Sequence, residues 1–288
     1  MTPKLGHWLP ALVLLGLGAC SETSDSEAPP AVYTRLVSLA PNLTELVFAA
    51  GAGDTLVGVS AYSDYPPGAG DLPVVGDAFA VDQEQLALLR PDALLAWESG
   101  MPEHVIDKLR QAGYRVEMIR TRSLEDVALA LRRIGELTGH NRDADAAADA
   151  FLAGLLALRQ KYSSAAPISV FYQVYQRPLY TINGEHYVSE LIQLCGGRNI
   201  FADLDALAPA ISVEAVIEHD PEVMLASTDA GDDAFAEWRR WPSLSAVKSG
   251  NQFMMPADSI GRGTPRLLVA GEVLCKALQS ARDKRIAD

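Results

Sequence analysis

The chain repeats itself over a period of well over a hundred residues, and each copy carries a glutamate in the same place. Asp82-Gln83-Glu84-Gln85-Leu86 leads to Pro91-Asp92-Ala93-Leu94-Leu95-Ala96, and Ser212-Val213-Glu214-Ala215-Val216 leads to Pro221-Glu222-Val223-Met224-Leu225-Ala226. In both, the glutamate stands seven residues before the proline, and an apolar strand follows at once. Each block has an upstream partner: Thr44-Glu45-Leu46-Val47-Phe48-Ala49-Ala50-Gly51 matches Ser189-Glu190-Leu191-Ile192-Gln193-Leu194-Cys195-Gly196. So long a period marks a duplicated lobe and not a stack of short repeats. Two similar lobes leave a cleft between them.

Within the first copy the pattern alternates strand and helix. Leu36–Leu39 and Leu56–Val59 are apolar runs of strand length. Thr44 is placed to cap a helix running to Ala50, stopped by Gly51 and Gly53. The segment Tyr62-Ser63-Asp64-Tyr65-Pro66-Pro67-Gly68 is a loop with two aromatics, because its prolines exclude helix and central strand. Gln83–Leu89 is a helix capped by Asp82, and Ala93–Ala96 a strand ending in Trp97. A helix over 102–113, a strand over 115–119 and a helix from Ser123 to about Thr138 complete the first copy. This order calls for parallel strands with helices on the faces. Asp143 to Tyr162 is rich in Ala and Leu and reads as one helix of about 30 Å between the repeats. Strands over 168–174, 224–226 and 253–256 follow, and Thr264-Pro265-Arg266 opens a last helix to about Arg282. The expected fold is α/β, with two similar Rossmann-like lobes joined by one long rigid helix and a ligand cleft between them. The lobes span 32–142 and 167–288, with the helix and linker over 143–166.

The first residues read as an export signal. Lys4 supplies a positive start, and Trp8 to Leu17 is apolar but too short to span a bilayer. Residues 1–19 form the expected signal peptide. It ends in Leu17-Gly18-Ala19-Cys20, which resembles the bacterial lipoprotein signal, with Cys20 as the lipidated residue. Residues 20–31 are acidic and Pro-containing, and read as a tether. By its resemblance to lipoprotein sorting signals, Ser21 in place of Asp after the cysteine implies the outer membrane in a Gram-negative host. The other two cysteines, Cys195 and Cys275, are an even remainder in an oxidising compartment, which fits either a disulfide or two buried thiols. The net charge of −13 argues against nucleic acid and against anionic lipid surfaces. It suits a basic docking partner, and solubility alone also accounts for it.

No catalytic motif and no metal-ligand spacing is present. The five histidines are scattered, and there is no Gly-x-Ser-x-Gly or phosphate loop. The strand ends carry aromatics instead: Tyr62, Tyr65, Trp97, Tyr175, Tyr180 and Tyr187. Such rings hold large flat ligands while offering a polar tip, although rim packing explains any single one of them. Pro256 to Thr264, with Asp258, Ser259, Ile260, Gly261 and Arg262, reads as a loop between strand and helix that can face the cleft. Glu84 and Glu214 each lie in the first turn of a helix, where the dipole favours a carboxylate. The duplication also makes them a pseudo-symmetric pair, suited to a two-fold basic partner.

With these residues in view, the chain resembles a known family. Leu36-Val37-Ser38-Leu39-Ala40-Pro41-Asn42-Leu43-Thr44-Glu45-Leu46, Tyr62-Ser63-Asp64-Tyr65-Pro66-Pro67, Arg90-Pro91-Asp92 and Cys195-Gly196-Gly197-Arg198-Asn199-Ile200-Phe201 are similar to the cobalamin-binding side of the periplasmic solute-binding proteins of ABC importers. The likeness runs over about residues 32–283. It implies that Tyr62, Trp97 and Tyr180 line a corrinoid pocket and that Asp258 to Arg262 contact the ligand. It further implies that Glu84 and Glu214 dock on arginines of an ABC permease with its cytoplasmic ATPase, and that Cys195 and Cys275 pair. Two pocket tryptophans of the family fall near Ala78 and Ala208 here, with Phe79 beside the first. The expectation is a monomeric periplasmic binder, lipid-anchored through Cys20, with no cofactor or metal of its own and cobalamin as cargo. Haem or a ferric siderophore is the alternative cargo; a hydrolase on this scaffold, or a docking lipoprotein without cargo, ranks below.

Overall fold

The computed structural model describes residues 32–287. The export signal, Cys20, Ser21 and the tether lie outside the described residues. The first lobe runs β1 (Leu36–Ser38), α1 (Pro41–Ala49), β2 (Leu56–Val59), α2 (Gln83–Leu89), β3 (Ala93–Trp97), α3 (Glu103–Gln111), β4 (Val116–Ile119) and α4 (Leu124–Thr138). Helix α5 (Asn141–Tyr162) follows. The second lobe holds β5 (Ile168–Gln173), β6 (Tyr175–Gln176), β7 (Leu179–Tyr180), α6 (Tyr187–Leu194), β8 (Gly197–Asn199), α7 (Val213–His219), β9 (Val223–Ser227), α8 (Ser245–Lys248), β10 (Gln252–Met255), α9 (Ala257–Ile260) and α10 (Leu267–Ala287).

Each lobe is built on a four-stranded parallel sheet, ordered β2-β1-β3-β4 in one and β8-β5-β9-β10 in the other. Counted within its own sheet, each reads second, first, third, fourth. The duplication seen in the sequence is therefore a duplication of topology, with a switch point between first and third strands in each lobe. Ligands of open α/β sheets bind outside the strand C-termini at that point.

Strand alternation divides the core. Leu36, Leu95, Val170, Tyr172 and Leu225 point into one core shared by both lobes and by the α5 residues Ala144, Ala148, Phe151, Leu155 and Leu158. Val37, Leu39, Leu94 and Ala96 face the other way, against α3. Phe171 and Met224 do the same in the second lobe, packing on Trp238. The 22 residues of α5 span about 33 Å and tie the lobes at both ends. At its start, Gly51 takes φ +77, and a Cβ there would lie 2.9 Å from Asp143. Past its end, Gly196 takes φ +74 against Ala165. Both glycines follow the equivalent helices α1 and α6, so the duplication supplies both ends of the bridge.

Some local expectations are corrected. Helix α1 starts at Pro41, not at Thr44, because Pro at the first turn needs no N–H and has its φ preset. Thr44 lies buried inside the helix, bonded to Ser38 and Ser63. Residues 257–260 of the expected loop form the short α9, which buries Ile260 completely. Strand β8 was not apparent, since Gly-Arg-Asn carries no apolar run.

Candidate functional site

The site forms where three segments of the two lobes meet. Strand β2 ends at Val59 and the chain turns through Ser60 to Tyr65. Tyr62 adopts φ +66 and is 81% exposed. A bulky residue in the left-handed region is strained and persists only when its surroundings hold it. Those surroundings are visible. A buried hydroxyl chain runs Ser38–Thr44–Ser63–Ser60, with contacts of 2.9, 3.0 and 3.3 Å. From the second lobe, Arg262 Nη2 donates to the Tyr62 carbonyl at 3.3 Å.

Arg262 is the hub of this junction. Its Nη1 donates to Glu45 Oε1 at 2.6 Å and to Asp64 Oδ1 at 2.9 Å. Arg266 Nη1 also reaches Glu45 Oε1, at 3.2 Å, and the Arg266 guanidinium sits 4.3 Å over the Tyr65 ring. Burial works against the Arg262 cation, but its bonds to Glu45 and Asp64 outweigh this and hold its pKa above the ordinary arginine value. Burial would raise the Asp64 carboxyl, yet Arg262 keeps it below the usual range. The Arg262 charge is thus already balanced by two carboxylates.

Trp97 closes the C-terminal end of β3, half-buried, and donates its indole N–H to Thr121 Oγ1 at 3.0 Å. Thr121 in turn lies against Gly263 of the second lobe. The structure therefore brings Tyr62, Trp97 and Arg262 to one junction. Asp258 is exposed and 3.8 Å from Arg266. Ser259 is buried and bonds the Pro256 carbonyl, Ile260 points into the shared core, and Gly261 ends α9. Tyr180 lies on the β6–β7 hairpin, paired with Tyr175. Phe79 is 75% exposed at the tip of a turn in which Asp77 accepts from the Phe79 and Ala80 N–H groups.

Glu84 and Glu214 are both exposed, in the first turns of α2 and α7, with no ion pair among the described residues. Cys195 and Cys275 are joined by a disulfide between α6 and α10. Among the described residues no cluster of His, Cys, Asp or Glu could hold a metal ion.

Sequence reasoning passed over Glu45, Asp64, Thr121 and Arg266. Glu45 carried a readable signal, since it aligns with Glu190 in the repeat. Glu190 Oε2 accepts the N–H of Leu124, the first residue of α4, at 2.8 Å. Each copy of the duplication therefore sends its glutamate into the opposite lobe.

Residues 36–259 match the family described as periplasmic binding protein. A vitamin B12-binding protein of Vibrio cholerae serotype O1 is 38% identical over 256 residues, covering 88% of this chain and 92% of the relative. The crystal structure of the periplasmic vitamin B12 binding protein BtuF of Vibrio cholerae superposes with a TM-score of 0.78 at 38% identity, over 87% of this chain and 98% of that one. A periplasmic heme binding protein from Pseudomonas aeruginosa superposes at 0.72 with 26% identity, over 85% and 92%.

Proposed function

The chain belongs to the periplasmic binding protein family, and on that premise we propose that it captures a corrinoid, cobalamin, between its lobes and delivers it to an ABC permease. The observation that carries this reading is the likeness to the Vibrio cholerae vitamin B12-binding protein along most of the chain. The geometry supports it. Tyr62 and Trp97 stand at the C-terminal ends of β2 and β3, where an open α/β sheet receives its ligand. Binding and release suffice for this role, and no bond is made or broken, so the protein is not an enzyme. The lobes at 32–142 and 167–288 form the walls, and α5 with its linker limits their closure.

Glu84 and Glu214 orient the protein on the permease. They occupy equivalent positions on two lobes of equal topology, so a permease with two-fold symmetry and basic pockets meets both at once. The protein acts as a monomer, held to the outer membrane through a lipid on Cys20.

A second cargo, haem, is favoured by one observation: Tyr62 presents an exposed phenol able to serve as an axial ligand. A ferric siderophore is disfavoured, because Arg262 is already paired with Glu45 and Asp64. Equilibrium dialysis of the purified chain against cyanocobalamin and against haem tests the reading. Retention of cyanocobalamin supports it; retention of haem alone replaces the cargo and leaves the binding-protein role standing.

A further inference from the structure

We infer that Glu45 is the positioning residue of the cleft: from its buried place on α1 it fixes Arg262, and through Arg262 it holds Tyr62 in the left-handed conformation that presents its ring. The inference deepens the corrinoid reading and rests on it for ligand affinity, but not for the conformational claim.

The Glu45 side chain is 3% exposed, and its Oε1 accepts from two arginines of the opposite lobe. Its Oε2 is buried without a partner among the described residues, as is Asn42 Nδ2 one helical turn away. Taking a carboxylate and a guanidinium out of water is costly, and a well-packed apolar pair would serve stability as well or better. A buried ion pair with an unsatisfied oxygen is thus poorly explained by stability alone. What it does supply is direction. One face of Arg262 is pinned by Glu45, and its remaining donors reach Asp64 and the Tyr62 carbonyl. The planar guanidinium fork carries the three contacts in fixed geometry, which a lysine ammonium does not reproduce. The Tyr62 loop lies in the first lobe and Arg262 in the second, so the same contact sets the ring relative to both walls.

The repeat adds an independent argument. Glu190 occupies the Glu45 position in the second copy and also crosses lobes, but it accepts from a helix N-terminus, with Arg159 near it and not in a salt bridge to it among the described residues. The cross-lobe carboxylate is therefore common to both copies, whereas among the described residues the hydrogen-bonded arginine relay to an aromatic is found on the Tyr62 side. That asymmetry assigns the relay to the site and not to the scaffold.

Hydrogen exchange on the full chain tests the inference through Glu45→Gln. The Ala61 amide donates to the Gly76 carbonyl at 2.7 Å and the Ser63 amide to the Ser60 carbonyl at 3.3 Å, so both report on the Tyr62 turn. The expected result is exchange faster by about tenfold at Ala61 and Ser63, unchanged protection within α5, and cyanocobalamin affinity lower by about tenfold. Unchanged exchange at these amides, or an equal rise everywhere including α5, overturns the inference, since either describes a purely structural ion pair. Arg262→Lys is read by the same amides and carries the test if Glu45→Gln does not fold. If the wild-type chain itself fails to bind cyanocobalamin, the cargo reading falls while the exchange result still decides the role of Glu45.

Discussion

Asp92 and Glu222 stand 130 residues apart and clamp the first strand of their respective lobes in the same way. Asp92 Oδ2 accepts from the N–H groups of Thr34 and Arg35 and from the Thr34 hydroxyl, just before β1. Glu222 Oε2 accepts from the N–H and hydroxyl of Ser169 in β5, while Oε1 pairs with Arg285. The residue two places before each carboxylate, Arg90 or Asp220, is left-handed and ends the preceding helix. The duplication has kept a complete helix–turn–strand device, down to the carboxylate that ties it to the neighbouring strand.

That device gives a pH dependence. The Thr34 N–H holds the Asp92 carboxyl below the usual range. For Glu222 burial works in the opposite sense, but the Ser169 N–H and Arg285 prevail and lower it. A carboxyl lowered by folding stabilises above its unfolded pKa, and that contribution is lost as pH falls through the folded value. Asp92→Ala and Glu222→Ala should each cost about 1–2 kcal/mol at neutral pH, add within experimental error, and weaken the acid sensitivity. Urea denaturation at neutral and acid pH measures both effects.

His186 should act over a higher pH range. Burial pushes its pKa from 6.5 down to about 4, and its Nδ1 accepts the Val188 N–H at the start of α6. The unfolded chain then binds the proton more readily than the folded one. Stability should fall as pH drops from about 6.5 towards 4, by on the order of 3 kcal/mol. His186→Asn keeps a capping acceptor and should flatten this slope in thermal melts.

The Cys195–Cys275 bridge closes an 80-residue loop that contains most of the second lobe. Chain entropy values such a link at on the order of 4 kcal/mol. The double variant Cys195→Ser, Cys275→Ser should lose stability of that order in urea titrations. Since Arg282, on the same helix as Cys275, still bonds the carbonyls of Ala166 and Cys195, the fold should survive.

Tyr62 and Trp97 should separate binding from stability. Tyr62→Gly removes a left-handed penalty of about 1 kcal/mol together with an exposed ring. Its melting temperature should hold or rise while cyanocobalamin binding weakens. Trp97→Ala deletes a ring that packs on Gly100 and leaves Thr121 without its donor, so it should lower both, with a stability loss of about 2–4 kcal/mol. Calorimetric melts and dialysis on the same samples distinguish the two patterns.

Much of the architecture was legible because the duplication left the spacing of Glu, Pro and strand intact. The two sheets follow from it, while α5 was legible from its run of Ala and Leu between the repeats. The start of α1 was misplaced because Thr44 has a capping side chain but spends its hydroxyl on Ser38 and Ser63 inside the lobe. Strand β8 escaped notice because an edge of three residues can pair through its backbone alone. Tyr62 and Trp97 were legible as aromatics that follow strands, and they stand after β2 and at the end of β3. Their support was not, since the bond from Arg262 to Glu45 joins residues 217 apart that no local pattern relates.

We propose above that the interlobe cleft holds a corrinoid. Titration calorimetry of the purified chain with cyanocobalamin, and with haem as control, tests it most directly. Sub-micromolar one-to-one binding of cyanocobalamin that weakens in Tyr62→Gly and Trp97→Ala is the expected result. Absence of heat with cyanocobalamin together with saturable binding of haem would contradict it.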